Sequence, residues 1–506
     1  MKRRIFCLLT SLCVITLSAR SQAIDSLLTK TMSPNDLHED FNYLRRILTE
    51  THPGLYRYTP KEKMQSKMDS INSLLDKPML FYDFYSILSE LVADVRCAHT
   101  YVIPVKDIEP YFLNRIKTIP LIPFAIGDKF YVTVNGTADT IVKPGFEILE
   151  INGQPMTTIR DKMYRHIWAD GHNKTLKGKT MNEAFFPLFY YLMMERSETF
   201  TVKLRDLNGA EKDITLSAQR FNDIRKFFNK NKVNKEIMAI STKRGKLEKK
   251  KPWRLELSEK DNVAVLRIKS FGGGNNEEEA RIKMRTFMDQ SMKILHAKNV
   301  KNLIIDLRYN PGGWDIQGVE LYTYLMNKPT RCYLRTHAIT DSTEFLALSD
   351  LSPGDRANVK KELKKESDGT FSVREEFSDQ LRIQDPKPNR FTGTVYILAN
   401  GGSASTTSEF IAYVKSNESI ILVGDETGGA YEGGNGGSYL HFTLPNSKMA
   451  IGTPLLYYNL DVKEVAQKGY GTKPDYYVPY KMESIVKGID DQLSFALELI
   501  RKQASR

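Results

Sequence analysis

The apolar side chains of residues 34–98 repeat at helical spacing. The stretch DLHEDFNYLRRILTETHPGLYRY places four of them three or four residues apart, at Leu37, Phe41, Leu44 and Leu48. This spacing predicts an amphipathic helix after Asp36, and the stretch FYDFYSILSELVADV repeats it. His52-Pro53-Gly54 predicts the end of the first helix. We therefore expect a small helical N-terminal domain at residues 24–105.

Residues 106–220 carry short β-type runs instead. KFYVTVNG, FEILEING and TFTVKLRDL are each typical of a strand that ends at Asn-Gly or a similar turn signal. The segment PGFEILEINGQPM resembles the strand-turn-strand of PDZ-like domains, whose groove takes an extended peptide as an added strand. We expect a PDZ-like domain here, and a small β-barrel without a ligand fits the same pattern.

The remaining chain divides into a lysine-rich linker, residues 221–252, and an α/β region, residues 253–506. Buried-type strands alternate with helices in this last region: NVAVLRI, NLIIDLR, TVYILANGG and SIILVGDETGG. Asn276 and Glu279 are placed to cap the helix between the first two strands. This alternation predicts an α/β core with a mostly parallel sheet, whose strand ends are where sites form.

The first 23 residues are typical of a signal peptide. Lys2, Arg3 and Arg4 precede an apolar run from Ile5 to Leu17, and Ser21-Gln22-Ala23 resembles a cleavage site. We expect an exported protein, periplasmic or secreted, that meets the membrane only through export. An uncleaved membrane anchor is the alternative interpretation of this segment.

The net charge and the cysteine content limit the classes of partner and the disulfides that we expect. The formal net charge is +12, and cleavage at residue 23 removes four basic and no acidic residues, which leaves +8. The basic run from Lys243 to Lys251 comes without a nucleic-acid motif, so we interpret it as part of a solvated linker and expect no nucleic-acid partner. Cys97 and Cys332 could form one disulfide, and the oligomeric state is open.

The stretch ANGGSASTTSEFIAYVK, residues 399–415, offers a candidate nucleophile. A serine between the strand TVYILAN and the following helix lies at the carboxyl edge of the sheet, where main-chain amides point toward the same spot. Such amides stabilise an oxyanion in acyl transfer. The Gly312-Gly313 pair after NLIIDLRYNP offers further amides without side chains in the way.

Three motifs together carry a family resemblance. LIIDLRYNPGG, GGSASTTSEF and VGDETGG, in this order after a helical and a PDZ-like segment, resemble the C-terminal processing and tricorn-type serine peptidase family. The resemblance implies a ClpP/crotonase-like core and puts the nucleophile on Ser405, with Ser403 as the next candidate and Ser408 as a helix residue. It implies Gly312 or Gly313 and the Thr406 amide as oxyanion donors. The sequence shows neither a metal cluster nor a dinucleotide fingerprint, so we expect no metal or cofactor.

The base and its partner follow from the same resemblance. The processing branch uses a lysine where this chain has Ala430, whereas the tricorn-like branch uses a histidine that falls on His99 in DVRCAHTYV. His337 and His441 are rivals outside any family motif. A glutamate should orient the histidine, but alignment on Pro474-Asp475 places Lys468 there. Glu464 is therefore the offset candidate.

These features together predict a serine peptidase that acts on extended polypeptides. Ser405 would attack the peptide carbonyl, and His99 would act as general base and then as acid. Two alternatives share the fold. One is a peptidase-fold protein with weakened turnover that binds peptides or an apolar ligand, which Ala430 and Lys468 favour. The other is a hydrolase of different acyl substrates such as esters.

Overall fold

The computed structural model describes residues 24, 26–106, 108–182, 185–258 and 262–504. The predicted signal peptide, residues 1–23, lies outside the described residues. Within the described part of the chain, no helix has both the length and the apolar character needed to cross a membrane.

The N-terminal region is helical, with helices at Pro34–Thr51, Lys61–Leu74, Phe81–Asp94 and Ile108–Asn114. Ser33 caps the first helix by accepting the Asp36 amide, and His52 ends it. The apolar stripe predicted from the sequence is buried, because Leu37, Phe41, Leu44 and Leu48 are all fully covered.

The second region is a six-stranded antiparallel sheet with its own buried core. Its strands lie side by side in the order Glu211–Ser217, Thr199–Arg205, Glu147–Ile151, Lys129–Asn135 and Leu121–Ile126, with Gln154–Pro155 paired to Glu147–Ile151. Helices Met156–Tyr164, Thr175–Met181 and Phe185–Met193 accompany the sheet. We call this region the β domain, and the strand Leu121–Ile126 forms one of its edges.

The segment predicted as a solvated linker is folded, with helices at Phe221–Lys230 and Lys235–Lys250. The buried Asn234 fixes it to the β domain, since its Oδ1 accepts the Asn135 amide at 3.0 Å and its Nδ2 donates to the Asn135 carbonyl at 2.8 Å. The polar composition of this segment did not predict that it folds. Polar side chains such as Asn234 are buried here because they form hydrogen bonds with main-chain groups instead of with water.

The α/β region contains the expected sheet. Its strands are ordered Trp253–Ser258, Val263–Ile268, Asn302–Asp306, Thr394–Ala399, Ile421–Gly424 and Tyr476–Tyr477, and all neighbours except the first pair are parallel. Helices Glu277–Ala297, Asp315–Thr323 and Thr406–Asn417 pack on one face, and Asp491–Ala504 packs on the other. Asn276 caps its helix by accepting the Glu279 amide, as predicted.

A second sheet, not distinguished in the sequence, joins the two ends of the chain. It orders Leu363–Lys365, Phe371–Val373, Tyr333–Ala338, Ala450–Leu460 and Asn435–Thr443, and the strand Tyr101–Ile103 pairs with Ala450–Leu460. The N-terminal helices share one buried core with this sheet. Residues next to Tyr101 are thereby carried into the C-terminal half.

Further short elements complete the fold. They are the strand pairs Thr31–Met32 with Met79–Leu80, Lys117–Thr118 with Gln219–Arg220, and Thr330–Arg331 with Ile383–Gln384, and the helices Glu344–Leu348, Pro353–Glu362 and Met482–Lys487.

Candidate active site

Ser405 lies at the sharp turn between the strand Thr394–Ala399 and the helix Thr406–Asn417. Its backbone has φ +53° and ψ −135°, a conformation that costs energy for a residue with a side chain. Its hydroxyl makes no hydrogen bond to any part of the chain that the structure describes. The rival Ser403 is fully buried and engaged, since its Oγ donates to the Leu307 carbonyl at 2.9 Å and accepts the Asn400 amide at 3.1 Å.

Gly312 closes the turn from the neighbouring strand. It has φ +98°, and a Cβ at this position would lie 2.8 Å from the Ser405 Cβ and 3.0 Å from the Thr406 nitrogen. This close approach requires glycine. The NPGG segment and the serine turn therefore meet side by side, as the sequence predicted for two loops at adjacent strand ends.

The main-chain amides at this junction differ in availability. The Gly312 amide donates to Asn310 Oδ1 at 3.0 Å, so it is already engaged. The Gly313 and Thr406 amides donate to no acceptor within the described ranges. Of the two glycines in the predicted oxyanion pair, Gly313 therefore has the free donor.

His99 is carried to the α/β region by a strand. It follows the helix Phe81–Asp94 and precedes the strand Tyr101–Ile103, which pairs with residues 450–452. The ring centroid of Tyr439 lies 5.6 Å from that of His99. The Nδ1 atom of His99 is buried and has no hydrogen-bond partner among the described residues.

Asp315 links the histidine to the serine turn. Its carboxylate accepts the Thr406 hydroxyl at 2.6 Å, one residue after Ser405. Burial raises the Asp315 pKa, and the Thr406 and Tyr458 hydroxyls and the charge of the His99 imidazole act against this. The imidazole therefore lies within electrostatic range of a group that touches the nucleophile turn.

A second carboxylic acid lies beneath this turn. Burial, and then the negative charge of Asp315, raises the pKa of Glu409 to about 8. The Tyr333 hydroxyl donates to Glu409 at 2.6 Å. At neutral pH Glu409 is therefore mostly protonated.

Asp170 was missed in the sequence. It comes from the loop WADGHN of the β domain, is only 6% exposed, and accepts the Ala98 amide at 2.7 Å. Burial raises the Asp170 pKa, and the His99 imidazole is the largest influence opposing this. The only available signal was an Asp-Gly pair, which is typical of any turn.

Glu464, the candidate partner of His99, does not lie beside the imidazole. Its side chain is 85% exposed and pairs with Lys468 at 3.5 Å. Ala430, at the position of the processing-branch lysine, is buried. The structure thus corrects the expected position of Glu464, because the acids within electrostatic range of His99 are Asp170 of the β domain and Asp315.

The surroundings of the rival histidines and of the two cysteines indicate structural roles. His441 pairs with the exposed Asp350 at 2.8 Å, and burial lowers the pKa of His337 to about 4. Cys97 and Cys332 are both buried and free, so the disulfide that the sequence left open is not formed. Burial raises the Cys97 pKa to about 12, which makes this thiol a poor nucleophile.

Known proteins resemble the α/β region in sequence and the whole chain in fold. Residues 262–478 match the family model described as Peptidase family S41. The structure of mature CPAF complexed with lactacystin aligns with a TM-score of 0.58 and 14% identity over 93% of this chain and 98% of that chain. A crystal structure of mature CPAF aligns with a TM-score of 0.57 and 15% identity over 92% and 96%. No curated protein sequence matches the chain.

At such identities the two structures establish a shared fold, and the family match establishes the class. The protein is a serine-type peptidase. Within the α/β region, residues 262–478 match peptidase family S41, in agreement with the predicted resemblance to the C-terminal processing and tricorn-type serine peptidases.

Proposed function

We propose that the protein is an exported serine peptidase that cleaves extended polypeptides, with Ser405 as nucleophile and His99 as general base. The observation that carries this proposal is the Ser405 turn: a strained backbone and an unengaged hydroxyl packed against Gly312. The imidazole of His99 lies within electrostatic range of Asp315, which is hydrogen-bonded to the neighbouring Thr406.

The reaction proceeds by acyl transfer. His99 takes the Ser405 proton as the hydroxyl oxygen attacks the peptide carbonyl, and the tetrahedral oxyanion accepts the Gly313 and Thr406 amides. His99 then donates this proton to the leaving amine as the C–N bond breaks. A water molecule, deprotonated by His99, hydrolyses the resulting ester and restores the Ser405 hydroxyl.

A cleft between the β domain and the peptidase domain suits a peptide-sized ligand. Its volume is about 830 Å³, and Gly401 and Gly402 of the serine turn form part of its wall. Phe124, on the edge strand of the β domain, contacts the Tyr480 ring of the opposite wall at a centroid distance of 6.0 Å. The half-buried end of this edge strand beside such a cleft supports binding of an extended chain by the PDZ-like mode predicted from the sequence.

The test compares the chain from Ile24 onward with its Ser405→Ala variant on an unstructured polypeptide and on a small ester. We expect the wild type to cleave the polypeptide and the variant to lose about 10⁴-fold or more in kcat, with the same melting temperature. Tight peptide binding without turnover in either protein would support the binding-protein alternative. Ester cleavage without peptide cleavage would support a hydrolase of other acyl groups.

The base assignment and the export need separate measurements. We expect His99→Gln to lower kcat by about 10²–10⁴-fold, whereas the same change at the surface residue His441 should leave kcat unchanged. Equal activities of the two variants would overturn the role of His99. N-terminal sequencing of the extracytoplasmic protein should begin near Ile24. An intact Met1 in the membrane fraction would support the uncleaved membrane anchor, and an intact Met1 in the cytoplasm would contradict export.

A further inference from the structure

Residues 170–173, which we call the bridging segment, tie three regions of the chain together. On the N-terminal side, Asp170 accepts the Ala98 amide and the Gly171 amide donates to the Arg96 carbonyl at 2.9 Å. On the peptidase side, the His172 amide donates to the Gly469 carbonyl at 2.6 Å. Asn173 Nδ2 donates to the Thr427 carbonyl at 2.7 Å. The segment belongs to the β domain, so this domain is locked to both sides of the site.

The bridging segment packs tightly against the main chain at Gly469. Gly171 has φ +54°, and a Cβ there would lie 2.3 Å from the Gly469 carbonyl oxygen. A side chain at this position would have to displace main chain, so only glycine lets Asp170 reach its place. The position of the Asp170 carboxylate is thus determined by backbone packing rather than by a flexible side chain.

The surroundings of Asp170 offer one main charge partner. Its Oδ2 faces bare backbone, since a Cβ added at Gly429 or Gly434 would meet it at 3.5 or 3.4 Å. The groups with charge around it are the His99 imidazole first, then Arg57, with the carboxyl of Glu409 farther away. A nearly sealed carboxylate without a lysine or arginine in contact distance is costly unless a cation forms beside it.

We infer that Asp170 is the positioning residue of His99, so that docking of the β domain completes the peptidase site. This inference rests on the proposed function. The buried, unpartnered Nδ1 of His99 donates its proton to this carboxylate when substrate tightens the site, which leaves Nε2 free to take the Ser405 proton. The negative charge of Asp170 then stabilises the imidazolium formed as that proton moves. A binding domain and a catalytic domain thereby share one proton relay.

The decisive variant is Asp170→Asn, which keeps an oxygen for the Ala98 amide but removes the charge. We expect kcat to fall about 100-fold. The acidic limb of the kcat/KM profile should move to lower pH, because the loss of the carboxylate disfavours protonated imidazole. Asp315 and Tyr439 face His99 from the peptidase domain, and both are unchanged in the variant. Only Asp315 can contribute to the acidic limb, because burial raises the pKa of Tyr439 and keeps this hydroxyl protonated there.

Two matched controls separate a positioning role from a structural one. Glu464→Gln alters the partner expected from the sequence, and Glu362→Gln alters a partly buried acid whose pKa is also raised by burial. Both should leave kcat and the acidic limb unchanged. If Asp170→Asn lowers only the melting temperature or the folded fraction and leaves the limb in place, Asp170 is structural and the inference is overturned.

Labelling by a fluorophosphonate distinguishes this inference from the proposed function. The wild type should be labelled at Ser405, and Asp170→Asn should be labelled about 100-fold more slowly. A wild type that is not labelled at Ser405 would overturn the proposed function and the inference with it. Labelling of both proteins at equal rates over the whole pH range would overturn the inference alone.

Discussion

Two groups of buried carboxylates lie near the carboxyl end of the parallel sheet, and they differ in what surrounds them. Asp306, on the strand Asn302–Asp306, meets Arg308 at 2.8 Å and also Arg267, and these cations with Lys269 hold the Asp306 pKa well below its usual range. Arg308 in turn pairs with Asp490 at 2.6 Å. Asp306, Arg308 and Asp490 therefore form a structural network of ion pairs.

Asp315 and Glu409 are equally buried, but hydroxyl groups and an imidazole are their partners. Burial raises both pKa values, so these two acids favour the protonated form more than free carboxyl groups do, whereas the first cluster holds fixed charges. Buried acids with cations stabilise the framework, whereas buried acids without them occur where protons move. This difference in charge partners distinguishes a structural cluster from a candidate catalytic one without reference to any sequence motif.

The largest effect should come from breaking the first cluster, in which Arg308 balances the charges of Asp306 and Asp490. Arg308→Met leaves Asp306 and Asp490 short of a buried cation, so we expect the free energy of unfolding to fall by about 3–5 kcal/mol, measured by urea denaturation. The matched surface change Arg382→Met removes a half-exposed pair with Asp379 and should cost less than about 1 kcal/mol. Equal losses in the two variants would contradict the comparison.

A smaller, pH-dependent effect should come from the second cluster, in which the hydrogen-bond partner of Glu409 is the Tyr333 hydroxyl. The Glu409 pKa is raised from 4.5 to about 8 in the folded protein, so the folded state keeps a proton that the unfolded chain loses in this window. Its stabilising contribution is complete below the lower value and is lost as pH rises through the higher one. Glu409→Gln cannot lose this proton.

We therefore expect Glu409→Gln to gain stability relative to the wild type as pH rises, on the order of 3 kcal/mol by about pH 9. Urea denaturation at a series of pH values measures this, with the exposed Glu464→Gln as the control that should follow the wild type. Parallel curves for Glu409→Gln and the wild type would show that Glu409 is ionised in the fold.

The smallest effect should distinguish a structural serine, Ser403, from the candidate nucleophile, Ser405, within the same turn. Ser403→Ala removes a hydroxyl that bonds Leu307 and Asn400, and the Leu307 carbonyl keeps the Asn310 amide. We expect a loss of about 1 kcal/mol in unfolding free energy with kcat unchanged. An inactive Ser403→Ala protein with normal stability would move the nucleophile from Ser405 to Ser403.

The sequence was most informative where local pattern decides structure. The helix after Asp36, the cap at Asn276 and the parallel strands followed from periodicity and capping chemistry. His99 was predicted as the base from the family resemblance. Asp170 could not be found in this way, because its role depends on backbone contacts of Gly171 with a loop far along the chain. The folded linker was missed for the same reason, since Asn234 acts through a distant main chain.

The pairing of Tyr101–Ile103 with Ala450–Leu460 also limits how the protein can be divided. A fragment that begins at residue 253 would keep the serine turn but lack both the imidazole and the strand that covers this edge of its second sheet. Such a fragment would expose unpaired backbone prone to association. The N-terminal helices are therefore an integral part of the fold, because they share a strand pairing and a buried core with the C-terminal half.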